Sequence, residues 1–378
     1  MLRFVNQRVG RWFAAFTVVT GLLAQPALTW AQDDTVVVLG MSLPLTGPQA
    51  TLGQSARQGA QAYVDSVNKL GGVQKRQLKL TVLDDEFKPD KTGANMRLLA
   101  SGGAVAVTSL IGGPNIAAAQ PVAAELEMPL VGVMNGSAAF RGATAATIIP
   151  VRASFADEAA EIVRIYSGLS LNRFAVVFPN DALGKNASQP AIKAIEAKGI
   201  KPVLVAFERG ATDFGAAAAQ IDAGSAQVAV VLAPTQSAAA LIAAMRSRNS
   251  AVQVVCMSVV DDRGIWKILG DKARGIAFAA VVPNPFDLNE PLVREYQSAM
   301  LAAGFKEFSS GSLEGYVNTR VAVEGVRRAG KPTRQAVLKA LQSLSNVDLG
   351  GYRFNRPGTA GLGVVEIVML GQGGRMFR

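Results

Sequence analysis

The sequence predicts an α/β protein built from two doubly wound parallel-sheet lobes. The 378-residue chain alternates short apolar strands with helices almost throughout, a pattern typical of parallel sheets covered by helices on both faces. About ten strands are predicted, and two sheets accommodate that number better than one. The length of the chain also exceeds the usual limit for a single hydrophobic core, which favours two lobes.

The first 31 residues carry the pattern of an export signal. Arg3, Arg8 and Arg11 precede an uncharged, mostly apolar run over 12–30, and a small residue, Ala31, follows it. This order is typical of a secretory signal peptide cleaved after residue 31, and the polar residues inside the run make a membrane anchor a poorer interpretation. The mature chain then has 378 − 31 = 347 residues and a charge of 35 − 28 = +7. We expect it to be periplasmic.

The strands are predicted from short apolar or alternating runs bounded by glycine, proline and polar residues. Residues such as Val105, Val107 and the pair Leu110-Ile111 suit a strand that is buried on both faces of a parallel sheet. The predicted strands cover 35–40, 78–82, 104–111, 130–134, 147–152, 173–178, 202–207, 227–232, 252–257, 275–282, 352–354 and 363–370.

The helices are predicted from apolar stripes of helical period and from their stop signals. In the first of them, Ala56, Ala60, Tyr63 and Val67 share one face, and a glycine pair at 71–72 ends the run. The predicted helices cover 54–70, 116–127, 155–167, 185–198, 214–223, 236–248, 265–269, 291–303, 313–329 and 333–342.

The stretch 104–137 organises the first lobe. It is predicted to form a strand, a glycine turn, a helix with Asn115 as its N-cap, and a second strand that ends in Asn135, Gly136 and Ser137. A helix that begins beyond a strand's carboxyl end directs unpaired N–H groups into the crevice above the sheet, where ligands bind in open α/β folds. The alternative is an ordinary βαβ unit whose polar residues only cap and turn.

The composition argues against catalysis. The chain has no histidine and a single cysteine, which excludes Ser-His-Asp and Cys-His triads, the usual zinc sites and any internal disulfide. Cys256 lies in an apolar run and is expected to be a buried, inert thiol. The acidic pairs Asp84-Asp85 and Asp261-Asp262 are expected to cap helices or lie in βα loops. Phosphate-binding glycine motifs are absent from the sequence, so neither an enzyme nor a cofactor is expected.

Nucleic acid is not an expected partner either. Lysine and arginine are scattered along the chain, and no basic stripe interleaved with aromatic residues is present. Export from the cytoplasm weakens that interpretation further.

Four motifs in register resemble a known family. They are the loop Pro44-Leu45-Thr46-Gly47-Pro48, the pair Asp84-Asp85 followed by Pro89, the turn Gly113-Pro114-Asn115, and the step Thr212-Asp213-Phe214. Together, behind a signal peptide, they resemble the periplasmic leucine/isoleucine/valine-binding proteins of ABC transporters, which have the type I periplasmic binding fold. The resemblance extends over 35–370.

The resemblance implies two lobes joined by three crossovers that close over one small molecule. By this correspondence the first lobe is 32–150 plus 277–346 and the second is 151–276 plus 347–378, with hinges near 150–151, 275–282 and 346–350. It also implies a monomer that delivers its ligand to an ABC permease in the inner membrane.

The resemblance assigns the ligand's carboxylate to the first lobe. The matching donor positions are Asn115, Asn135 and Ser137, whereas Pro114 has no N–H to donate. The aromatic residue that packs on the ligand in relatives is replaced by Leu52.

The second lobe departs further from the family pattern. Leu183 stands where amino-acid binders have a tyrosine, and Thr235 is a further contact position. The acidic residue that pairs with the ligand's ammonium falls on Val260 or, with a one-residue slip, on Asp261. The family's disulfide positions hold Phe87 and a residue near Ile111.

These departures leave two ligand classes open, an aliphatic amino acid such as a branched-chain one, or an amine-free aromatic or aliphatic organic acid. Sugar is disfavoured because the mature chain keeps only Trp266 for stacking. A periplasmic sensor that reports to a signalling partner is the alternative in another functional class.

Overall fold

The computed structural model describes residues 35–142, 145–355 and 361–377. The predicted signal peptide lies outside the described residues. Residues 34–378 form one compact unit. Within the described part of the chain, no helix is both long and apolar enough to cross a membrane.

The first lobe is built on a five-stranded parallel sheet. Its strands are β1 (Val36–Leu43), β2 (Gln77–Asp84), β3 (Ala104–Thr108), β4 (Leu130–Val131) and β5 (Ile148–Ile149), in the spatial order β2-β1-β3-β4-β5. Valine, leucine and isoleucine dominate these strands, as expected of a sheet buried on both faces.

The second lobe is built on a seven-stranded sheet. Its parallel strands are β6 (Phe174–Pro179), β7 (Val203–Phe207), β8 (Val228–Val231), β9 (Gln253–Cys256) and β10 (Ala277–Ala280). A separate pair, β11 (Val347–Asp348) and β12 (Arg353–Phe354), precedes two antiparallel additions to the sheet, β13 (Glu366–Leu370) and β14 (Met376–Phe377). The spatial order is β14-β13-β10-β9-β8-β6-β7. The prediction of two doubly wound sheets is confirmed.

Helices cover both faces of each sheet. In the first lobe they are α1 (Ala50–Lys69), α2 (Pro89–Ser101), α3 (Gly113–Glu125), α9 (Pro291–Ala302), α10 (Ser310–Ala329) and α11 (Arg334–Gln342). In the second lobe they are α4 (Phe155–Gly168), α5 (Ala182–Glu196), α6 (Gly215–Ala223), α7 (Thr235–Ser247) and α8 (Asp262–Leu269).

Several helices begin a few residues earlier than predicted, and two of the differences concern the presence or the cap of a helix. Helix α2 is absent from the predicted elements, although a proline at its first position is a common helix start. Helix α3 begins at Gly113, so its N-cap is Gly112 and the predicted cap, Asn115, lies inside the first turn.

Two boundaries taken from the family resemblance need correction. Strand β10 pairs with β9 and β13, so residues 277–280 belong to the second lobe and the crossover follows them. Residues Val347, Leu349 and Phe354 share a hydrophobic cluster with Leu292 and Tyr316 of the first lobe. The chain therefore returns to the second sheet only at β13. Which sheet a strand joins depends on long-range packing that a local pattern does not report.

Candidate ligand-binding cleft

A cleft separates the carboxyl ends of the strands of the two sheets. It has about 610 Å³ of empty space, its open mouth included. Its walls come from both lobes, and most of them are apolar. They comprise Gln49, Leu52, Phe87, Ile111, Gly112, Gly113, Pro114, Met134, Asn135, Phe155, Pro179, Leu183, Gly184, Ala187, Arg209, Leu232, Ala233, Pro234 and Val259.

Helix α3 points its N-terminus at this cleft. Gly112, Gly113 and Pro114 all line the wall, and no side chain caps the helix. The first-turn N–H groups and the positive end of the helix dipole therefore face the cleft without a protein acceptor from a cap. This arrangement can receive an anion such as a carboxylate.

The glycine at 112 is required by its surroundings. Its φ of 92° lies in the left-handed region, and an added Cβ would lie 2.5 Å from Cε2 of Phe87. The phenyl ring of Phe87 therefore packs directly over the backbone at the start of α3.

Phe87 is held in place by the predicted acidic pair. Asp84 accepts bonds from the backbone N–H of Leu45 (2.9 Å) and the hydroxyl of Thr46 (2.7 Å), which fastens the loop after β1. Asp85 accepts from the N–H of Phe87 at 2.9 Å and from the hydroxyl of Thr92 at 3.0 Å. Burial raises the pKa of Asp85 despite these bonds. Asp84 is the last residue of β2 and Asp85 opens the loop between β2 and α2, so the expectation of a βα loop is confirmed for Asp85.

The three predicted carboxylate donors are not brought together on the cleft wall. Asn135 lines the cleft, and its Oδ1 accepts from the N–H of Ser137 at 2.9 Å. The side chain of Asn115 is turned away, since its Nδ2 donates to Oγ1 of Thr92 at 2.8 Å. The hydroxyl of Ser137 accepts from the N–H of Ala139 at 3.3 Å and caps the 3₁₀ turn Ala138–Phe140.

In the second lobe, Leu183 and Arg209 line the cleft. Asp181 caps α5 by accepting from the N–H of Gly184 at 2.8 Å, and its other oxygen accepts from Nε of Arg209 at 2.7 Å. Burial alone would raise the pKa of Asp181, but these bonds outweigh it and lower the pKa. Asp181 therefore orients the guanidinium, and Arg209 is the one charged side chain in the described cleft wall.

Three residues form a chain of contacts behind the cleft. Oε1 of Gln49, in the first lobe, accepts from the N–H of Thr235 at 3.0 Å. Oγ1 of Thr235 accepts from the N–H of Asp261 at 3.0 Å. The structure thus brings Thr235 and Asp261 together, but neither belongs to the cleft wall, whereas Leu52 does.

Asp261 acts as a helix cap. Its Oδ2 accepts from the N–H of Gly264 at 2.9 Å, which makes it the N-cap of α8. Asp261 is 2% exposed, and burial together with the adjacent Asp262 raises the pKa of its carboxyl group well above the ordinary value. The expectation that this acidic pair caps a helix is confirmed.

A buried polar network joins the lobes beside the cleft. Arg152, which follows β5, donates from Nε and Nη2 to the two carboxylate oxygens of Glu314 on α10 at 2.7 and 2.6 Å. Its Nη1 donates to Oγ of Ser258 at 2.7 Å. Ser258 in turn donates its hydroxyl to Oε1 of Glu158 at 2.6 Å and its N–H to Oε2 at 2.9 Å. Segments of both lobes therefore meet at one guanidinium.

Gln49, Phe155 and Arg209 are cleft residues that the sequence alone does not identify. Each follows a predicted strand or opens a predicted helix, which is a signal for the cleft edge in a doubly wound fold. That signal applies equally to many other residues, so it does not single these out.

The type I periplasmic binding fold and a cleft between two sheets define a ligand-binding protein. The family model described as "Periplasmic binding protein" matches residues 36–366. The chain therefore belongs to the periplasmic binding protein family, whose members are periplasmic. The relatives that it matches place it with the leucine/isoleucine/valine-binding type of this family.

Individual relatives agree with this assignment. A Leu/Ile/Val-binding protein from Rhizobium johnstonii is 23% identical over 322 residues, 81% of this chain and 83% of the relative. A substrate-binding periplasmic protein from Ralstonia solanacearum has a TM-score of 0.83 at 29% identity, covering 90% of this chain and 99% of the other. A possible leucine/isoleucine/valine-binding protein from Rhodopirellula baltica has a TM-score of 0.84 at 27% identity, covering 91% and 96%.

Proposed function

We propose that this protein is the substrate-binding component of an ABC importer and captures a small, apolar carboxylate that has no amine, by closing its two lobes over it. The observation that supports this choice is the charge of the cleft wall. Among the described lining residues one is cationic, Arg209, and none is acidic.

The carboxylate has two sources of stabilisation. The uncapped start of α3 offers backbone N–H groups on the first lobe, and Arg209 offers a guanidinium on the second. Hydrogen bonds to charged groups are shorter and stronger than neutral ones. A ligand carboxylate that contacts both would favour the closed arrangement of the lobes, because each contact comes from a different lobe.

An ammonium group has no comparable partner among the described residues of the cleft wall. Asp261, the acidic residue at the position used by amino-acid binders, caps α8 and lies outside the cleft wall. Its raised pKa favours the neutral acid, which attracts a cation weakly. Burying an unpaired ammonium costs several kcal/mol, so the site disfavours an amino acid although the relatives' names refer to leucine, isoleucine and valine.

The apolar walls suit an aliphatic or aromatic body. Phe87, Met134, Phe155, Leu183 and Leu232 surround the space between the two lobes. Each buried methylene contributes about 0.8 kcal/mol, so a branched or aromatic acid gains more from these walls than acetate does.

Calorimetric titration with matched pairs tests the ligand class. We expect 4-methylpentanoate to bind at least about tenfold more tightly than leucine, and 3-phenylpropanoate more tightly than phenylalanine, because only the amino acids bury an unmatched charge. Tighter binding of the amino acids would contradict the proposal. Loss of uptake of the bound acid in cells that lack the protein tests the importer role.

A pair of arginine variants tests the anchor. Arg209→Gln should weaken binding of the acid by about tenfold, the low end of the range for a charge-assisted bond, because Arg209 is partly exposed. Arg248→Gln is the matched control, since Arg248 pairs with Asp222 through Nε at 2.8 Å but lies outside the cleft wall. If Arg209→Gln and Arg248→Gln bound the acid with equal affinity, Arg209 would not be a ligand-binding residue.

A further inference from the structure

Gln49 makes an unusual pair of contacts across the cleft. It is the N-cap residue of α1, but its side chain does not cap that helix. Instead its Oε1 accepts from the N–H of Thr235 at 3.0 Å, and its Nε2 donates to the carbonyl of Val259 at 3.4 Å. Both partners belong to the second lobe, and Gln49 is 4% exposed.

The two partners are backbone groups that lack an obvious alternative. Thr235 is the first residue of α7, whose N-cap, Pro234, offers no side-chain acceptor, so its N–H is one of the helix's unpaired donors. Val259 follows the end of β9. A glutamine amide carries one acceptor and one donor group, and the second lobe presents one donor and one acceptor to it.

We infer that Gln49 is a positioning residue for ligand capture. Its side chain selectively stabilises the closed arrangement of the lobes, because it supplies hydrogen-bond partners to the N–H of Thr235 and the carbonyl of Val259. This inference rests on the proposed function only in that the two lobes close over a ligand. When the lobes part, water replaces both bonds at each end, so the contact favours closure without contributing to the fold of either lobe. Leu52 and Pro234, which lie close in sequence to Gln49 and Thr235, line the same cleft.

Affinity measurements separate this role from a structural one. With 4-methylpentanoate as the probe, Gln49→Leu should weaken binding by about 5- to 30-fold, as expected for the loss of two net hydrogen bonds. The change should appear in the dissociation rate, because the contact forms only on closure. Gln54→Leu is the matched control, since Nε2 of Gln54 bonds to the carbonyl of Leu45 within the first lobe at 3.0 Å. Equal effects of the two variants on affinity would overturn the inference.

A glutamate at this position provides a pH-dependent rescue. Ionised, the Gln49→Glu side chain accepts from Thr235 but confronts the carbonyl of Val259 with a negative charge. Protonated, it again has a donor and an acceptor. Its affinity relative to wild type at the same pH should therefore rise from about tenfold weaker at pH 8 to near equality at pH 5. Arg209, Asp261, Asp262 and Arg263 are present in both proteins, so the ratio removes their titration. If the ratio of the two affinities did not change with pH, the proposed contacts of residue 49 with Thr235 and Val259 would be contradicted.

A ligand-independent measurement keeps this inference separate from the ligand class. Spin labels at Lys88→Cys and Lys185→Cys, exposed on opposite lobes, report the distance between the lobes, and the native Cys256 is buried. Gln49→Leu should shift the ligand-free distances towards longer values, whereas Gln54→Leu should not. Failure of the wild type to bind 4-methylpentanoate or 3-phenylpropanoate would count against the proposed function alone. Identical distance distributions for wild type and Gln49→Leu would overturn the role of Gln49.

Discussion

Replacing Glu158 with glutamine should remove a pH dependence from the free energy of unfolding. Glu158 is fully buried in α4 and accepts the hydroxyl and the N–H of Ser258. Burial raises its pKa to about 7, and the charge of Arg152 and the bonds from Ser258 offset only part of that effect. The folded protein therefore holds a proton on Glu158 at pH values where the unfolded chain has released it.

The magnitude follows from the two pKa values. Below the ordinary value of 4.5 both states are protonated, and the neutral side chain contributes its full stability. As the pH rises from 4.5 to about 7, only the folded state binds the proton, and stability falls by about 1.4 kcal/mol per pH unit. Across this window the wild type should lose about 3 kcal/mol that the Glu158→Gln variant does not lose.

Urea unfolding at intervals between pH 4 and pH 8 measures this difference. The matched control is Glu161→Gln on the same helix, since Glu161 is partly exposed, pairs with Arg164 and has a lowered pKa because of that bond. The contribution of Glu161 to the free energy of unfolding therefore changes only below the ordinary glutamate pKa, outside the pH range in which Glu158 titrates. Asp261 and Asp262 titrate in all three proteins and cancel in the comparison. Parallel curves for wild type and Glu158→Gln would show that the pKa of Glu158 is not raised in the folded protein.

Three further predictions concern packing, chemistry and the turn after β4. Gly59→Ala should destabilise the protein by about 3 kcal/mol, because the new Cβ would lie 1.7 Å from the carbonyl oxygen of Ser312. In contrast, Gly93→Ala should stabilise helix α2 by about 0.5–1 kcal/mol, because the nearest atom to its new Cβ is 3.8 Å away. Thermal unfolding that ranks the two variants the other way would contradict the packing of α1 on α10. Cys256 is buried and burial raises its pKa, so a thiol reagent should modify it only as fast as the protein unfolds; rapid modification of the native protein would disprove its burial. Ser137→Ala should cost about 1 kcal/mol of stability through loss of a cap and leave ligand affinity unchanged in calorimetry, whereas a loss of affinity would return Ser137 to the site.

Local patterns were enough to predict most strands and helices, because apolar runs and stop signals are properties of neighbouring residues. Helix α2 was missed since its buried face includes only Met96, Leu99 and Ala100 as apolar members beside Thr92 and Asn95. The glycine at 93 weakened the pattern further. Strand β10 was recognised as a strand, but its neighbours β9 and β13 come from distant parts of the chain.

The candidate site was harder to predict than the fold. Leu52, which was assigned from the family resemblance, and Asn135, which follows the carboxyl end of a strand, both lie on the cleft wall, and their contact with a ligand stays a prediction. Asp261 offered both a helix cap and an ammonium partner, and only the geometry distinguishes these. Gln49 finds its partners 186 and 210 residues away, a separation at which a single sequence carries no signal.

A crystal structure of the protein with bound 4-methylpentanoate would show the contacts of the carboxylate. We expect the carboxylate within hydrogen-bond distance of the N–H groups at the start of α3 and of the Arg209 guanidinium, with the alkyl body against Phe155 and Leu183. A carboxylate placed elsewhere, or a structure of the leucine complex in which the ammonium pairs with Asp261, would contradict the proposed function.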